Sequence, residues 1–153
     1  IYITRDPFDT LYSYHQYLNG EKGIDITIQQ LVHHPDYGID ALINHTESYI
    51  RGCQHLLLIS YENLHSECEK CVIKMCNFLN INPEDSVIKS AIEKSSFSNM
   101  RTTEKNKGRP MGNKNFTFTR SGIIGEGKKI PEKEKEYIIE RLTHSPFLYF
   151  NYV

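Results

Sequence analysis

The chain has 153 residues, of which 39% are hydrophobic and 24% are charged, and its formal net charge at pH 7 is −1. This composition is typical of an ordinary globular domain with a hydrophobic core. No apolar segment approaches the roughly 20 residues that a membrane-spanning helix requires, and no overall positive charge indicates a nucleic-acid partner. We therefore expect neither a membrane span nor nucleic-acid binding.

Two short apolar segments predict the strands of a parallel sheet. The first covers residues 1–4 and ends at Arg5, and the second (LLLIS) covers residues 56–60 and ends at Tyr61. Because both contain few polar residues, we expect them to be buried on both faces. Strands that alternate with helices predict an α/β fold. Two buried strands need further strand partners, so we expect the chain to be the C-terminal part of a larger domain.

Apolar residues recur with helical periodicity in six segments, which are 7–18, 24–31, 39–52, 66–79, 83–94 and 131–142. Asp6 is a favourable N-cap for the first of these helices, and Pro7 suits its first position. In the segment 95–124 the periodicity disappears, which predicts a long loop. Loops of this length in compact domains are usually functional or mobile.

The chain contains four cysteines, and two of them have a spacing found in zinc and redox sites. Cys68 and Cys71 form a C-x-x-C pair, but the sequence lacks the second pair of ligands that a zinc site requires. Both share one face of a predicted helix with Val72, Met75 and Leu79. We therefore predict core thiols and no metal site. Thiols of this kind are typical of a reducing compartment, so we expect a cytoplasmic protein.

Residues 101–120 are unusually basic, with six Lys or Arg side chains and one Glu, which gives this segment a net charge of +5. Two interpretations are open. The segment is either a solvated loop or a loop that closes over an anion.

The ends of the two predicted strands indicate an anion-binding site. In open α/β sheets, ligands bind beyond the carboxyl ends of the strands, which is where Arg5 and Tyr61 lie. The helix that begins at Pro7 adds backbone N–H donors, and Ser13 offers a hydroxyl. The planar fork of an arginine matches the oxygens of a phosphate. The alternative is that Arg5 merely pairs with a nearby carboxylate such as Asp9.

Several motifs, in the same order along the chain, resemble those of the sulfotransferases that use 3′-phosphoadenosine 5′-phosphosulfate (PAPS). Residues 5–13 (RDPFDTLYS) resemble the family element R-[ND]-P-x-D-x-x-x-S, and residues 61–64 (YENL) resemble Y-E-[DN]-[LM]. The resemblance implies that Arg5 and Ser13 bind the 3′-phosphate of the nucleotide. It also implies that Tyr61 contacts the adenine.

A third motif follows the predicted helix 83–94. Residues 95–100 (SSFSNM) resemble S-F-x-x-M, which lines the adenine pocket in this family. The resemblance therefore implies contacts with the nucleotide from Ser95, Ser96, Phe97 and Met100.

Two more motifs lie toward the end of the chain. Residues 118–127 (FTRSGIIGEG) resemble F-x-R-K-G-x-x-G-D-W, a loop that returns to the 3′-phosphate. The resemblance implies this role for Arg120, Ser121 and Gly122. Residues 145–152 (SPFLYFNY) resemble a C-terminal segment that is common in bacterial members of the family.

The chain departs from the family pattern at two positions. Ser121 stands where the family has lysine, which removes a positive charge from the expected phosphate site, and Gly127 stands where the family has tryptophan. Lys114, Lys128 and Lys129 are candidates to replace the missing charge. Without the tryptophan, the packing that anchors this loop has to come from other residues.

The resemblance implies a three-layer sandwich of the P-loop nucleotide-kinase type, with a parallel sheet and with PAPS as co-substrate. Residues 1–153 would be the C-terminal part of one sulfotransferase domain. The family's 5′-phosphosulfate loop and its catalytic base are expected upstream of residue 1, so we predict no catalytic residue in this chain. The acceptor would be a hydroxyl or amine of a small or carrier-bound molecule. The alternatives are a P-loop kinase of nucleotides or small molecules, and a degenerate nucleotide-binding module without catalysis.

Overall fold

The structure is a computed structural model that describes residues 1–109, 112–113, 115–150 and 152. Lys114 and Asn151, which belong to sequence features noted above, lie outside the described residues. The strands are β1 (Tyr2–Thr4) and β2 (Leu58–Ser60). The α-helices are α1 (Pro7–Gly20), α2 (Ile28–Val32), α3 (Ile39–Gly52), α4 (Tyr61–Ser66), α5 (Cys68–Phe78), α6 (Asp85–Lys94), α7 (Phe97–Lys107) and α8 (Glu132–Leu142). Two 3₁₀ helices cover Glu126–Lys129 and Pro146–Phe150.

The two strands form a parallel pair, as the sequence predicts. Their register places Thr4 beside Ser60, so both strands end at the same edge. The prediction that both strands are buried on both faces is wrong for this chain, because Ile3 is 51% exposed and Leu58 is 38% exposed. Within the described residues each strand has only the other as a neighbour in the sheet, so part of the sheet stays uncovered.

The hydrophobic core lies where α1, α3 and α8 meet. It is built from buried aliphatic and aromatic side chains of these helices, of α2, and of the segments that flank α8; these side chains are Leu11, Val32, Ile39, Ile130, Ile138, Leu142 and Phe147. The arrangement fixes α1 against the chain that follows residue 120. It therefore holds the two ends of the sequence in defined positions relative to each other.

Local capping explains where α1 and α2 begin. The carboxylate of Asp6 accepts a hydrogen bond from the backbone N–H of Asp9 at 2.9 Å, and Pro7 occupies the first turn. α1 is confirmed and continues to Gly20. α2 begins later than predicted, because Thr27 and Gln30 form a reciprocal capping box that places its first residue at Ile28.

The predicted loop over 95–124 is wrong in its first part, which forms helix α7. The hydroxyl of Ser96 caps this helix by accepting a hydrogen bond from the backbone N–H of Asn99. No residue of α7 is buried. The helix therefore carries no apolar stripe that periodicity could detect.

The prediction that Cys68 and Cys71 are core thiols holds for Cys71 and is wrong for Cys68, which is only half-buried. Cys71 on α5 is buried, Cys68 and Cys76 are half-buried, and Cys53 is exposed. Leu79, which the pattern places on the inner face, is 53% exposed. The reason is that α5 ends at Phe78, so Leu79 no longer follows the helical face.

Among the helices that the structure describes, none is both long enough and apolar enough to cross a lipid bilayer.

Candidate functional site

A cavity of about 380 Å³ lies beyond the ends of β1 and β2, between α1, the start of α7 and the loop that precedes residue 126. Of the ten site residues predicted from sequence, eight line this one cavity; they are Arg5, Ser13, Tyr61, Phe97, Met100, Arg120, Ser121 and Gly122. These side chains come from four segments that are far apart in the sequence. The fold therefore brings the four predicted binding motifs to a common place.

Arg5 and Tyr61 are neighbours because they directly follow the paired strand ends. The guanidinium carbon of Arg5 lies 4.4 Å from the ring centroid of Tyr61, which is within the range of a cation–π contact. Nη2 of Arg5 donates to the carbonyl oxygen of Ile123 at 3.3 Å. The contact of Nη2 with Asp9 is longer, at 3.5 Å. The Nε atom is buried and has no hydrogen-bond partner among the described residues, so Arg5 keeps donor capacity that Asp9 does not use.

Asp9 mainly serves the loop around residue 126. Its side chain is almost fully buried, and its two oxygens accept hydrogen bonds from the backbone N–H groups of Gly125, at 2.7 Å, and Gly127, at 2.6 Å. A side-chain carbon at Gly127 would lie 2.5 Å from Cβ of Phe8. The loop is thus anchored by a buried carboxylate and by close backbone contact, without the family's tryptophan.

Arg120 and Ser121 meet a buried carboxylate in the cavity wall, that of Glu126. Nη1 of Arg120 donates to it at 3.2 Å, Nη2 makes a second and shorter contact, and the hydroxyl of Ser121 donates at 2.6 Å. Lys129 completes the cluster through Nζ at 2.7 Å. Hydrogen bonds from Arg120 first of all, together with those from Lys129 and Ser121, lower the pKa of Glu126 to about 2. Lys129 and Ser121 thus bind the same carboxylate, and whether Lys129 replaces the charge of the family's lysine stays a prediction.

The basic segment 101–120 is partly neutralised by two carboxylates. Arg109 pairs with Glu21 at the end of α1, at 2.5 Å, and with Glu104 on α7, at 3.3 Å. Glu104 also accepts hydrogen bonds from the backbone N–H groups of Phe118 and Thr119. Burial alone would raise the pKa of Glu104. A hydrogen bond from the hydroxyl of Thr119, those from the two backbone N–H groups and the charge of Arg109 together outweigh burial, so the pKa is lowered. Arg109 is therefore held against α1 and α7, and Phe118 and Thr119 are held against α7.

Ser95 and Ser96 do not line the cavity. The hydroxyl of Ser95 donates to the carbonyl oxygens of Ala91 and Ile92, and that of Ser96 serves as the cap of α7. Both hydroxyls are used within the local helix turns. They place Phe97, which does line the cavity.

Sequence reasoning missed several cavity residues, above all Glu126. Its position within the motif FTRSGIIGEG was visible, but its role was not, because nothing in the sequence shows that Arg120 folds back onto it. Tyr17 and Phe118 are further wall residues and meet edge to face with ring centroids 6.2 Å apart. The position of Tyr17 on α1 and that of Phe118 in the loop do not by themselves predict a place in a binding site.

A second cavity of about 590 Å³ continues from the first along β1. The two cavities share five lining residues, which are Arg5, Ser13, Tyr17, Tyr61 and Phe118. Across residues 1–109, 112–113, 115–150 and 152, no three His, Cys, Asp or Glu side chains are placed to hold a metal ion.

A family model described as "Sulfotransferase domain" matches residues 1–141 of the chain. The chain belongs to this sulfotransferase family. The resemblance inferred from the motifs is therefore confirmed, and the P-loop kinase alternative loses its support. A comparison with curated protein sequences gives no match.

Solved structures confirm the sulfotransferase fold. Mouse sulfotransferase SULT7A1 complexed with PAP is 22% identical with a TM-score of 0.72, and the match covers 95% of this chain and 58% of that chain. Retinol dehydratase in a complex with retinol and PAP is 16% identical with a TM-score of 0.75, covering 95% and 48%. The same enzyme with androsterone and inactive cofactor PAP gives 15% identity and a TM-score of 0.75, covering 95% and 47%. The chain thus spans about half the length of the solved structures that it matches.

Proposed function

We propose that this sulfotransferase-family chain supplies the 3′-phosphate and adenine half-site of a PAPS-dependent sulfotransferase. The observation that carries the proposal is the convergence of Arg5, Ser13, Tyr61 and Arg120 on one cavity. The intact enzyme would transfer a sulfuryl group from PAPS to a hydroxyl or amine of a small or carrier-bound acceptor. Family membership and the PAP complexes of the structural relatives support this assignment.

The residues of the cavity fit the two parts of such a nucleotide. Arg5 and Arg120 offer planar guanidinium groups that match phosphate oxygens, and the hydroxyl of Ser13 can donate to the same group. The buried Nε of Arg5, which has no partner within the described part of the chain, is the donor that an anionic ligand would satisfy. Tyr61 and Phe97 supply aromatic surface for a purine ring.

In this proposal the chain binds and orients, and it contributes no catalytic residue. PAPS supplies the sulfuryl group that is transferred. The second cavity extends from Arg5 and Ser13 and gives room for the 5′ end of the nucleotide. We propose that the 5′-phosphosulfate loop and the catalytic base belong to the part of the sulfotransferase domain that this chain does not cover. Transfer would then depend mainly on positioning and on charge stabilisation.

We also propose a cytoplasmic protein that acts without a metal ion. The four cysteines are free thiols, which supports a reducing compartment. The cations that face the cavity are protein side chains, and they can stabilise the charge of the nucleotide directly.

Calorimetric titration of the protein with adenosine 3′,5′-bisphosphate tests the half-site. Arg5→Ala removes a charge-assisted contact worth ~1.5–3 kcal/mol, which corresponds to binding that is weaker by about 10- to 150-fold. Ser13→Ala removes a neutral donor and should cost about 0.5–1.5 kcal/mol. Adenosine 5′-phosphosulfate, which lacks the 3′-phosphate, should be affected much less by either change.

Arg51→Ala is the matched control, because Arg51 lies on α3, is largely exposed and does not line the cavity. It should bind both nucleotides as the wild type does. Equal losses for both nucleotides in Arg5→Ala would mean that Arg5 serves the fold and does not contact the 3′-phosphate. Binding without any sulfuryl transfer by the whole protein would favour the degenerate module.

A further inference from the structure

Glu126 is an acidic side chain in the wall of a cavity that is proposed to bind an anion, and this placement requires an explanation. We propose that Glu126 is a positioning residue that holds the guanidinium of Arg120 in the orientation that receives the 3′-phosphate. The inference rests on the proposed function and deepens it. It assigns a role to a residue that does not itself contact the nucleotide.

The carboxylate of Glu126 is itself fixed in place. Glu126 is only 6% exposed. The backbone N–H groups of both its neighbours, Gly125 and Gly127, donate to the buried carboxylate of Asp9. Lys129 adds a further contact with Oε1 at 2.7 Å. A side chain held in this way cannot turn away when a ligand arrives, so it serves as a rigid support.

Arg120 keeps donors for a ligand while it is bound to Glu126. A guanidinium carries five N–H groups, and the two contacts with Glu126 use one from each terminal nitrogen. The remaining N–H groups are directed away from Glu126 by the planarity of the group. The ring of Tyr12, 5.9 Å from the guanidinium carbon, adds a second constraint on its orientation.

Ser121 acts in the same support. A serine hydroxyl has a single proton, and that of Ser121 is donated to Glu126 at 2.6 Å. The hydroxyl therefore braces the carboxylate and is not free to donate to a phosphate. The replacement of the family's lysine by Ser121 thus shortens the side chain to one that completes the Glu126 cluster.

Positioning and competition predict opposite effects when the charge of Glu126 is removed. If Glu126 only competed with the phosphate for Arg120, its neutralisation would strengthen binding of an anion. If it positions Arg120, its neutralisation frees the guanidinium and weakens binding. Lys129 and the hydroxyl of Ser121 already bind the Glu126 carboxylate and offset part of its negative charge, so we expect the loss of positioning to dominate.

The test is the affinity of Glu126→Gln for adenosine 3′,5′-bisphosphate and for adenosine 5′-monophosphate, measured by calorimetry. We expect binding of the bisphosphate to weaken by about tenfold, which is ~1.4 kcal/mol, and that of the monophosphate by less than about twofold. Glu126→Asp, which keeps the carboxylate, should recover part of the affinity. Glu132→Gln is the control, because Glu132 is exposed and pairs only with Lys135 in the described structure.

Two further variants exclude a merely structural role. In an Arg120→Ala background, Glu126→Gln should cause little additional loss, because the two residues act through one contact. Arg120→Lys keeps the positive charge but cannot make the two-point contact with Glu126. It should therefore also lose the preference for the bisphosphate. This variant tests the inference even if Glu126→Gln does not fold.

The outcomes distinguish a failure of the proposed function from a failure of the role proposed for Glu126. A wild-type protein without preference for the 3′-phosphorylated nucleotide would overturn the proposed function and this inference with it. A wild type with that preference, combined with unchanged or stronger binding in Glu126→Gln, would overturn the inference alone. Equal losses of affinity for both nucleotides in Glu126→Gln would also overturn the inference alone. The same holds if Arg120→Lys keeps the wild-type preference for the bisphosphate.

Discussion

The carboxylate of Asp9 and the backbone N–H of Gly127 are joined by a buried hydrogen bond of 2.6 Å, although 118 positions separate them in the sequence. This bond connects the first turn of α1 to the 3₁₀ helix Glu126–Lys129. The same carboxylate binds Gly125, so Asp9 fixes both residues that flank Glu126. The start of α1 and the loop at residues 125–127 are thereby joined next to the cavity.

Gly127→Ala is expected to destabilise the protein. A methyl group at this position would lie 2.5 Å from Cβ of Phe8 and 2.7 Å from the backbone nitrogen of Asp9, so the loop has to move away from α1. Overpacking of this kind costs about 1–3 kcal/mol in the free energy of unfolding. Denaturant unfolding measures it, with Gly52→Ala as control because nothing lies within 4 Å of its added carbon. Equal free energies of unfolding for Gly127→Ala and Gly52→Ala would contradict the close approach of Gly127 to Phe8.

The Glu126 cluster is expected to make stability depend on pH in the acidic range. The pKa of Glu126 is about 2 in the folded protein and 4.5 without the surrounding structure. Its stabilising contribution is therefore complete above about pH 4.5 and is lost as the pH falls toward 2. The difference in unfolding free energy between wild type and Glu126→Gln should shrink over this range, as followed by denaturant unfolding at several pH values. A difference that stays constant from pH 7 to pH 2 would show that the carboxylate is not the source.

The sequence allowed the elements near the cavity to be predicted where local chemistry determines them. Asp6 and Pro7 define the start of α1, and the short apolar segment that ends at Ser60 defines β2. α7 could not be predicted, because none of its residues is buried and its cap, Ser96, resembles any loop serine. Glu126 was missed for another reason. Its partner Arg120 is close in sequence, but only the loop anchored on Asp9 turns the two side chains toward each other.

Gly20→Ala is expected to displace the ring of Phe116 from the end of α1. A side-chain carbon at Gly20 would lie 2.2 Å from Cδ2 of Phe116, and this ring lines the cavity. Because a ring can move, the unfolding free energy should change little, while nucleotide binding loses a ring contact worth ~0.5–1.5 kcal/mol. Phe116→Ala should produce the same loss of affinity, and the double variant should be no weaker than either. Additive losses would show that Gly20 and Phe116 act separately.

The four thiols are expected to react at different rates with a thiol-specific reagent. Cys53 is exposed and should react first, whereas Cys71 is only 4% exposed and should react on unfolding. Mass spectrometry of the labelled peptides measures the order. Cys53→Ser should remove the fastest phase and leave the others unchanged. Rapid labelling of Cys71 in the native protein would contradict its burial on the inner face of α5.

Binding of nucleotide is expected to protect the loop at Arg120 and Gly122 from hydrogen exchange. Both residues line the cavity, while Phe118 and Thr119 are already tied to Glu104 without a ligand. If opening of this loop abolishes binding, adenosine 3′,5′-bisphosphate at 100 times its Kd should slow exchange there by up to about 100-fold. The amides of α5, which do not line the cavity, serve as the internal reference. Equal exchange of the loop with and without nucleotide would mean that it does not close over the ligand.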